Sequence, residues 1–442
     1  MYNSPRVSPW TTADTVGGAV LSAGVWMVRL VHALDAAPAY ASLPSYRRVD
    51  WWVLSARCAQ LKHVILVACT PQGGLLPIED VSPTDDRGHA FLLDLFALAH
   101  RAPVTRTDIV RLNVWINAVG VMLVAMVLWR LGMPWAAIGS LVAGTWLFPL
   151  SVKIAGPDTP AAFLGIFCLA AIPVLWLGAR GGKLSFPRAH RIGAYVSVGC
   201  LAAAVLLRQA IGLVSIATLI LLLILAEFKK RAAKPPSRLA FLGALLILGI
   251  LTQTTSLLLR VRNLCVDLPP ARLIASHGVA HMLYQGLGTE PNPWGIVSAE
   301  DASGAEAIQK INPAAGYGTP QYYREIGKLY VKLLATNPGT VFRIYVRKGL
   351  KTLELPLSIF GIPYCWPLAL IVFFWVEVWR REGFRSIHGR TAAAFGGFLA
   401  LFLSQGIFIF PEIRFLYPAK FAVLVLFSLT VDFILARLWI AG

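Results

Sequence analysis

Charge is scarce in this chain, and negative charge scarcest: 22 Asp and Glu stand against 40 Lys and Arg in 442 residues. Only 14% of the residues are charged while 57% are hydrophobic, an apolar load that one soluble core does not hide. The class is therefore a polytopic membrane protein. The net charge of +18 does not imply nucleic acid as a partner, because many Lys and Arg occupy short connections between apolar runs, where the positive-inside rule places them. Cysteine is sparse too: the six are scattered, without a CxxC or a Cys/His metal spacing. Cys168 and Cys200 fall inside apolar runs as small packing residues, whereas Cys58 and Cys69 share a polar segment and leave a disulfide open. Nucleotide-driven chemistry lacks its motifs. GARGGKLS around Lys183 misses the GxxxxGK[ST] spacing, and no HExxH, GxSxG or Rossmann fingerprint occurs. The start, MYNSPRVSPWTTADT, has neither the basic opening nor the cleavage site of a signal peptide, so the first apolar run is expected to stay attached.

Long apolar runs are what the chain does have. A helix needs about 20 mostly apolar residues to cross the hydrocarbon. Candidate spans are 14–34, 109–131, 133–152, 159–178, 193–207, 210–226, 239–259, 355–378, 391–409 and 416–438, about ten in all. The first is weakened by Arg29 and His32, and the fifth is short enough to be half of a broken helix. Basic residues crowd three short connections: Arg180 to Arg191, Lys229 to Arg238, and Arg380 to Arg390. All three fall on one side, which becomes the cytoplasm together with both termini. The opposite side then carries two long polar loops, 35–108 and 260–354, and the links at Gly156–Pro160, Arg208–Gln209 and Pro411–Phe415. The chain divides into a membrane module, 1–259, that includes the first loop, a second loop region, 260–354, and C-terminal membrane helices, 355–442.

Those loops hold most of the groups that can do chemistry. YRRVDWWVLSARCAQLKHVILVAC mixes basic, aromatic and aliphatic residues at helical spacing and reads as a helix lying on the membrane surface. The second loop ends in an amphipathic helix, a break at Asn337-Pro338 and a basic helix running into the next span. Carboxylates at membrane depth are the first suspects, since charge there needs a reason. Asp158 stands at the mouth between two spans, either capping the helix that Pro160 starts or aiming into a shared cavity. Asp50 is a helix cap or a functional acid, and Asp85 and Asp86 form an acidic pair ahead of Arg87. His89 and His281 are acid/base groups, phosphate donors or plain hydrogen-bonding residues. Lys153, Arg208, Arg260, Arg262 and Arg414 are cations on the side that the insertion rule disfavours, so each calls for a partner: a lipid phosphate, or a local carboxylate such as Glu412 beside Arg414.

At this point the layout resembles the GT-C superfamily of membrane glycosyltransferases, in particular the branch of dolichyl-phosphate mannosyltransferases and lipid A aminoarabinose and galacturonic acid transferases. Asp50-Trp51-Trp52 followed by VLSARCAQL resembles the first-loop Asp and aromatic pattern, and DDRGHAFLLDLFALAHRAP the stretch leading into the second span. GPDTPAAFLG resembles the second-loop Asp motif, PEIRFLYPAKF the Glu-x-Arg-aromatic-Pro signature, and LLRQAIGL puts a cation where the family often has one between half-spans. The family's first-loop acid is usually a pair, whereas Asp50 is followed by Trp; an acidic pair occurs instead at Asp85-Asp86. The resemblance implies an all-α GT-C fold and transfer of a sugar from a polyprenyl-phosphate carrier to a lipid, glycan or protein acceptor. It implies one inverting displacement, with no obligatory metal or other cofactor. Asp50, Asp85, Asp86 or Asp158 would supply the base, and Lys153, Arg208, Arg260, Arg262 and Arg414 would meet the lipid phosphate, with His89, His281 and Glu412 in the binding set. A hydrophobic groove for the polyprenyl chain is expected between the spans of 193–259. The setting would be a bacterial inner membrane with the site facing the periplasm. Two rivals stand beside it. A flippase would call for internal repeats or mid-depth charges, neither of which stands out, and a ligase or polymerase type enzyme would rely on Arg and His rather than Asp.

Overall fold

A computed structural model describes residues 14–43, 48–70, 72–81, 87–100, 103–155, 159–182, 188–230, 238–273, 278–298, 301–354, 358–359, 362–363, 365–382, 386–409 and 416–441. Asp85, Asp86, Asp158, Glu412 and Arg414 lie outside the described residues, and Lys153 is described by its backbone alone. The chain opens with α1 (Asp14–Asp35) and α2 (Ala37–Ala41). The first loop then holds α3 (Arg48–Lys62), an antiparallel hairpin of β1 (Val67–Cys69) and β2 (Leu75–Pro77), α4 (Ile78–Val81) and α5 (Arg87–Ala99). Apolar helices follow: α6 (Arg106–Arg130), α7 (Pro134–Ala155), α8 (Phe163–Ala179), α9 (Arg188–Leu207), α10 (Gln209–Lys230) and α11 (Arg238–Thr252). Next come α12 (Thr254–Cys265) and the second-loop helices α13 (Val279–Gly286), α14 (Asp301–Ile311), α15 (Pro320–Thr336) and α16 (Pro338–Glu354). A small hairpin, β3 (Ser358–Ile359) with β4 (Ile362–Pro363), leads to α17 (Cys365–Glu382), α18 (Ile387–Phe408) and α19 (Leu416–Ala441).

The protein is an all-α membrane protein. Five of the described helices are long and apolar enough to cross a bilayer: Thr15–Asp35, Arg106–Arg130, Gln209–Glu227, Ile387–Phe408 and Tyr417–Leu438. The bent pair α11–α12 makes a sixth if taken as one span, and Pro134–Phe148, Phe163–Ala179 and Ile192–Leu207 are apolar but shorter. Two expected spans differ in detail. Residues 239–259 are not one straight helix, because α11 and α12 meet at Gln253 with a bend of 60°. The hydroxyls of Thr252 and Thr254 on either side donate to the carbonyls of Gly249 and Leu251, the kind of side-chain competition that bends a helix. In the stretch 355–378 the described residues 358–359 and 362–363 pair as strands, and the helix α17 starts at Cys365; Pro356, Gly361 and Pro363 interrupt the apolar run in the sequence.

Helix ends meet at two opposite ends of the bundle. At the basic end, Arg390 Nε donates to the Ala179 carbonyl (3.0 Å), and Asp432 accepts from the Ala136 N–H in the first turn of α7 (2.9 Å). At the other, the loop end, the two long loops fold onto the helices. Between them α6 and α8 cross backbone to backbone: a Cβ on Gly165 would lie 2.3 Å from the Ile116 carbonyl oxygen, and one on Gly120 2.5 Å from that of Gly165. Asn117 fastens the same crossing, its Nδ2 donating to the Ala161 carbonyl (2.6 Å) and its Oδ1 accepting from Gly165 N–H (2.7 Å).

Two smaller cores sit on the loop end. One packs α3, α5 and the start of α6 around Trp52, Leu66, Ile78 and Leu93, and the Cys58–Cys69 disulfide ties α3 to β1. The other packs α13 to α16 around Tyr284, Tyr322 and Ile344. Arg262 of α12 locks the first of these. Its guanidinium makes a fork with Glu79 (2.6 and 2.9 Å) and also donates to the Leu66 carbonyl (2.8 Å), with arginine and glutamate both buried. Removing one member leaves the other as an uncompensated buried charge, about 3–5 kcal/mol. Arg262→Met is therefore expected to lower thermal stability in detergent steeply. Arg262→Met with Glu79→Leu is expected to recover most of the loss, because no lone charge remains. Equal losses in the single and double variants would show that the pair does not hold the loop.

Candidate functional site

At the loop end, α5 and α8 both pack against the turn between α9 and α10. Arg208 is the single residue between these helices. Its N–H donates to the Ala204 carbonyl (2.9 Å), and its own carbonyl accepts from Ile211 and Gly212. Its half-buried guanidinium lies over the Phe163 ring, 5.5 Å from the centroid. Phe163 opens α8 directly after the 3-10 turn Thr159–Ala162, which Asn117 holds from α6. The start of α5 presses into the last turn of α9: a Cβ on Gly88 would come within 2.5 Å of the Leu206 carbonyl oxygen and 2.8 Å of Leu207 Cα. Only glycine fits so near a backbone, so the start of α5, where Arg87 and His89 are buried, packs on the last turn of α9 just before Arg208. His89 stacks on Trp52 at 5.3 Å, and its Nε2 lies 3.2 Å from Asn113 Oδ1, a distance that suits Nε2–H donating to the amide.

Below this turn, toward the basic end, lies an apolar cavity of about 410 Å³. It is walled by Trp176 and Leu177 of α8, Tyr195 and Leu201 of α9, Leu223 of α10 and Ile247 of α11. Leu201 lies seven residues from Arg208, so the cavity begins roughly 10 Å beneath the turn at 1.5 Å per helical residue. A cation over an apolar slot can hold an anionic head with a long apolar tail.

The other residues singled out by the sequence separate. Asp50 sits in the first turn of α3, inside the helix rather than as its cap, and its exposed carboxylate accepts from Arg106 at the start of α6. Arg260 is exposed on α12. Arg262, expected to meet a lipid phosphate, is committed to Glu79 instead, since both its terminal nitrogens donate to that carboxylate. His281 belongs to the second-loop core, where Nδ1 lies 2.7 Å from the Tyr322 hydroxyl within a tyrosine cluster. Several polar residues of the interior escaped the sequence reading. Asn113 and Asn117 carried a signal, two amides four residues apart within the apolar stretch of α6. Asp432 carried the same kind of signal, and it caps α7. Lys348, fully buried, donates to the carbonyls of Gly286 (2.8 Å) and Ile409 (2.7 Å). Burial pushes its amine down to about 7, against the pull of Glu290. No protein-family model, curated protein or solved structure matches this chain.

Asp94 of α5 is a second perturbed group of the loop end. Burial raises its carboxyl to about 7, although the Leu66 N–H and the Ser55 hydroxyl both donate to its Oδ2 and work the other way. Between about pH 4 and 7 the native state keeps a proton that the unfolded chain has lost, so stability falls as pH rises through that window. At roughly 1.4 kcal/mol per pKa unit the loss reaches at most about 4 kcal/mol. Lys348 acts only above about pH 7, where stability rises with pH instead. Asp94→Asn is expected to flatten the dependence between pH 4 and 7 while leaving the alkaline limb intact. An unchanged slope in melting temperature over that range would contradict a buried neutral carboxyl.

Proposed function

We propose that this protein is a GT-C-type glycosyltransferase of the cell envelope that moves a sugar from a polyprenyl-phosphate carrier to a lipid, glycan or protein acceptor at the loop end of the bundle. In this reading α1, α6 to α11, α17, α18 and α19 all cross, in a bacterial inner membrane with the loop end facing the periplasm. The observation that carries it is the pairing of Arg208 with the apolar cavity beneath: the helices that present the cation also wall the slot. A lipid phosphate needs both, and a soluble phosphorylated ligand needs only the first.

The chemistry asks for two things. A base must take the acceptor hydroxyl proton as the anomeric carbon changes partners, worth about 10²–10⁴ in rate. Positive charge must receive the departing phosphate in a half-dry site, where preorganised donors act most strongly. Arg208 is suited to the second role, and the start of α5, which carries Arg87 and His89, packs on the helical turn before it. Lys153 and Arg414 remain candidates by motif alone, as do Asp85, Asp86, Asp158 and Glu412. Asp50 stands apart in its ion pair with Arg106, a surface pair worth little, so acceptor binding can release it. One displacement with inversion needs no second carboxylate as nucleophile.

The test is transfer of radiolabelled sugar in membranes from a panel of polyprenyl-phosphate sugars, comparing wild type with Asp50→Asn, Asp85→Asn, Asp158→Asn and Arg208→Ala. Labelled product is expected, lost by at least a hundredfold in one Asp variant and lowered in Arg208→Ala, with protein levels intact. If no donor is consumed and the lipid-linked sugar instead changes leaflets, the protein is a flippase.

A further inference from the structure

Helix α16 has three faces where a helix of a packed subdomain needs two. Its buried face carries Val341, Ile344, Lys348 and Thr352. A second face is apolar yet open: Phe342, Val346 and Leu350 recur every four residues and are 71%, 45% and 53% exposed. Beside that stripe run Arg343 and Arg347, both exposed and with no carboxylate partner among the described residues. Lys351, farther round, is already paired with Glu290.

The height of this helix is fixed by what its buried face touches. Lys348 Nζ donates to the carbonyl of Ile409, the residue that closes α18. A Cβ on Gly406 would lie 2.7 Å from the Thr352 hydroxyl, so α16 and α18 meet there without a gap. The span Ile387–Phe408 ends at these residues, which puts α16 where hydrocarbon gives way to headgroups. At that level an open apolar stripe has lipid beneath it, and two free guanidinium groups at its edge match phosphate oxygens. A zwitterionic leaflet would leave the cations without net opposite charge.

We propose that α16 is a lipid seat: Phe342, Val346 and Leu350 enter the leaflet at the loop end, and Arg343 and Arg347 hold anionic phospholipid headgroups. Two measurements on the full chain in nanodiscs test it, in a Cys265→Ser, Cys365→Ser background. Spin labels at Phe342→Cys, Val346→Cys and Leu350→Cys are expected to be accessible to oxygen and shielded from an aqueous nickel chelate. Leu246→Cys on α11 serves as the lipid reference and Gln309→Cys on α14 as the aqueous one. Native mass spectrometry from mixed phosphatidylglycerol and phosphatidylcholine is expected to show retained phosphatidylglycerol falling roughly fivefold for each of Arg343→Gln and Arg347→Gln. The labelled positions, Arg343 and Arg347 are exposed, and unchanged melting confirms that the fold is kept. Labels that behave like Gln309→Cys would overturn the seat, leaving the face to a soluble partner or a second copy. Lipid-seated labels with no loss of phosphatidylglycerol in either arginine variant would overturn the anionic selectivity that the proposal asserts.

Discussion

The buried fork between Arg262 and Glu79 is the contact on which the loop end depends. It joins two segments 183 residues apart and reaches Leu66 at the same time. Leu66 has a φ of 55°, unusual for a branched side chain, and both its polar atoms are held: its carbonyl by Arg262, its N–H by Asp94. Asp80, next to Glu79, accepts from the N–H groups of Arg272 and Leu273 and so continues the seam into the second loop. The 60° bend at Gln253 is what turns α12 toward Glu79. Without it, Arg262 would continue along the axis of α11. A hydrocarbon belt fixes where helices lie but leaves loops undetermined, and this fork supplies the missing constraint.

With the first loop anchored, Gly88 can press into the end of α9, directly before Arg208. The Asn113 and Asn117 amides then satisfy polar groups on two neighbouring segments from a single face of α6. The second subdomain is joined to the membrane helices through Lys348, whose ammonium sits against the C-terminal ends of α13 and α18, where helix dipoles favour a cation. Burial opposes that charge and, against the pull of Glu290, pushes the amine down to about 7. Polar contacts at the bundle's loop end thus do the positioning that an apolar core does in a soluble domain.

Much of this was readable from residue order. The apolar runs marked the helices of the bundle closely, as 109–131 against Arg106–Arg130 shows. The exceptions have local causes: hydroxyl competition around Gln253, and the breakers Pro356, Gly361 and Pro363 before α17. Which face a side chain takes was far less legible. Arg260 and Arg262 are two residues apart, yet one is exposed and the other buried on Glu79. Arg347 and Lys348 are adjacent, yet the first faces outward and the second is sealed against two carbonyls. Periodicity tells which cations share a face, but not which face meets a partner from a loop nearly two hundred residues away. The same limit applies to the cysteines: spacing leaves a Cys58–Cys69 disulfide open, and the fold of α3 against β1 joins them.

The central claim is that the turn at Arg208 and the cavity below form one site for a lipid phosphate. The most direct measurement is a structure of the full chain in nanodiscs with a short-chain polyprenyl phosphate added. The account predicts phosphate density within hydrogen-bond reach of the Arg208 guanidinium and a prenyl chain running between α8, α9, α10 and α11. A phosphate bound elsewhere, with the cavity empty or filled by ordinary acyl chains, would contradict it.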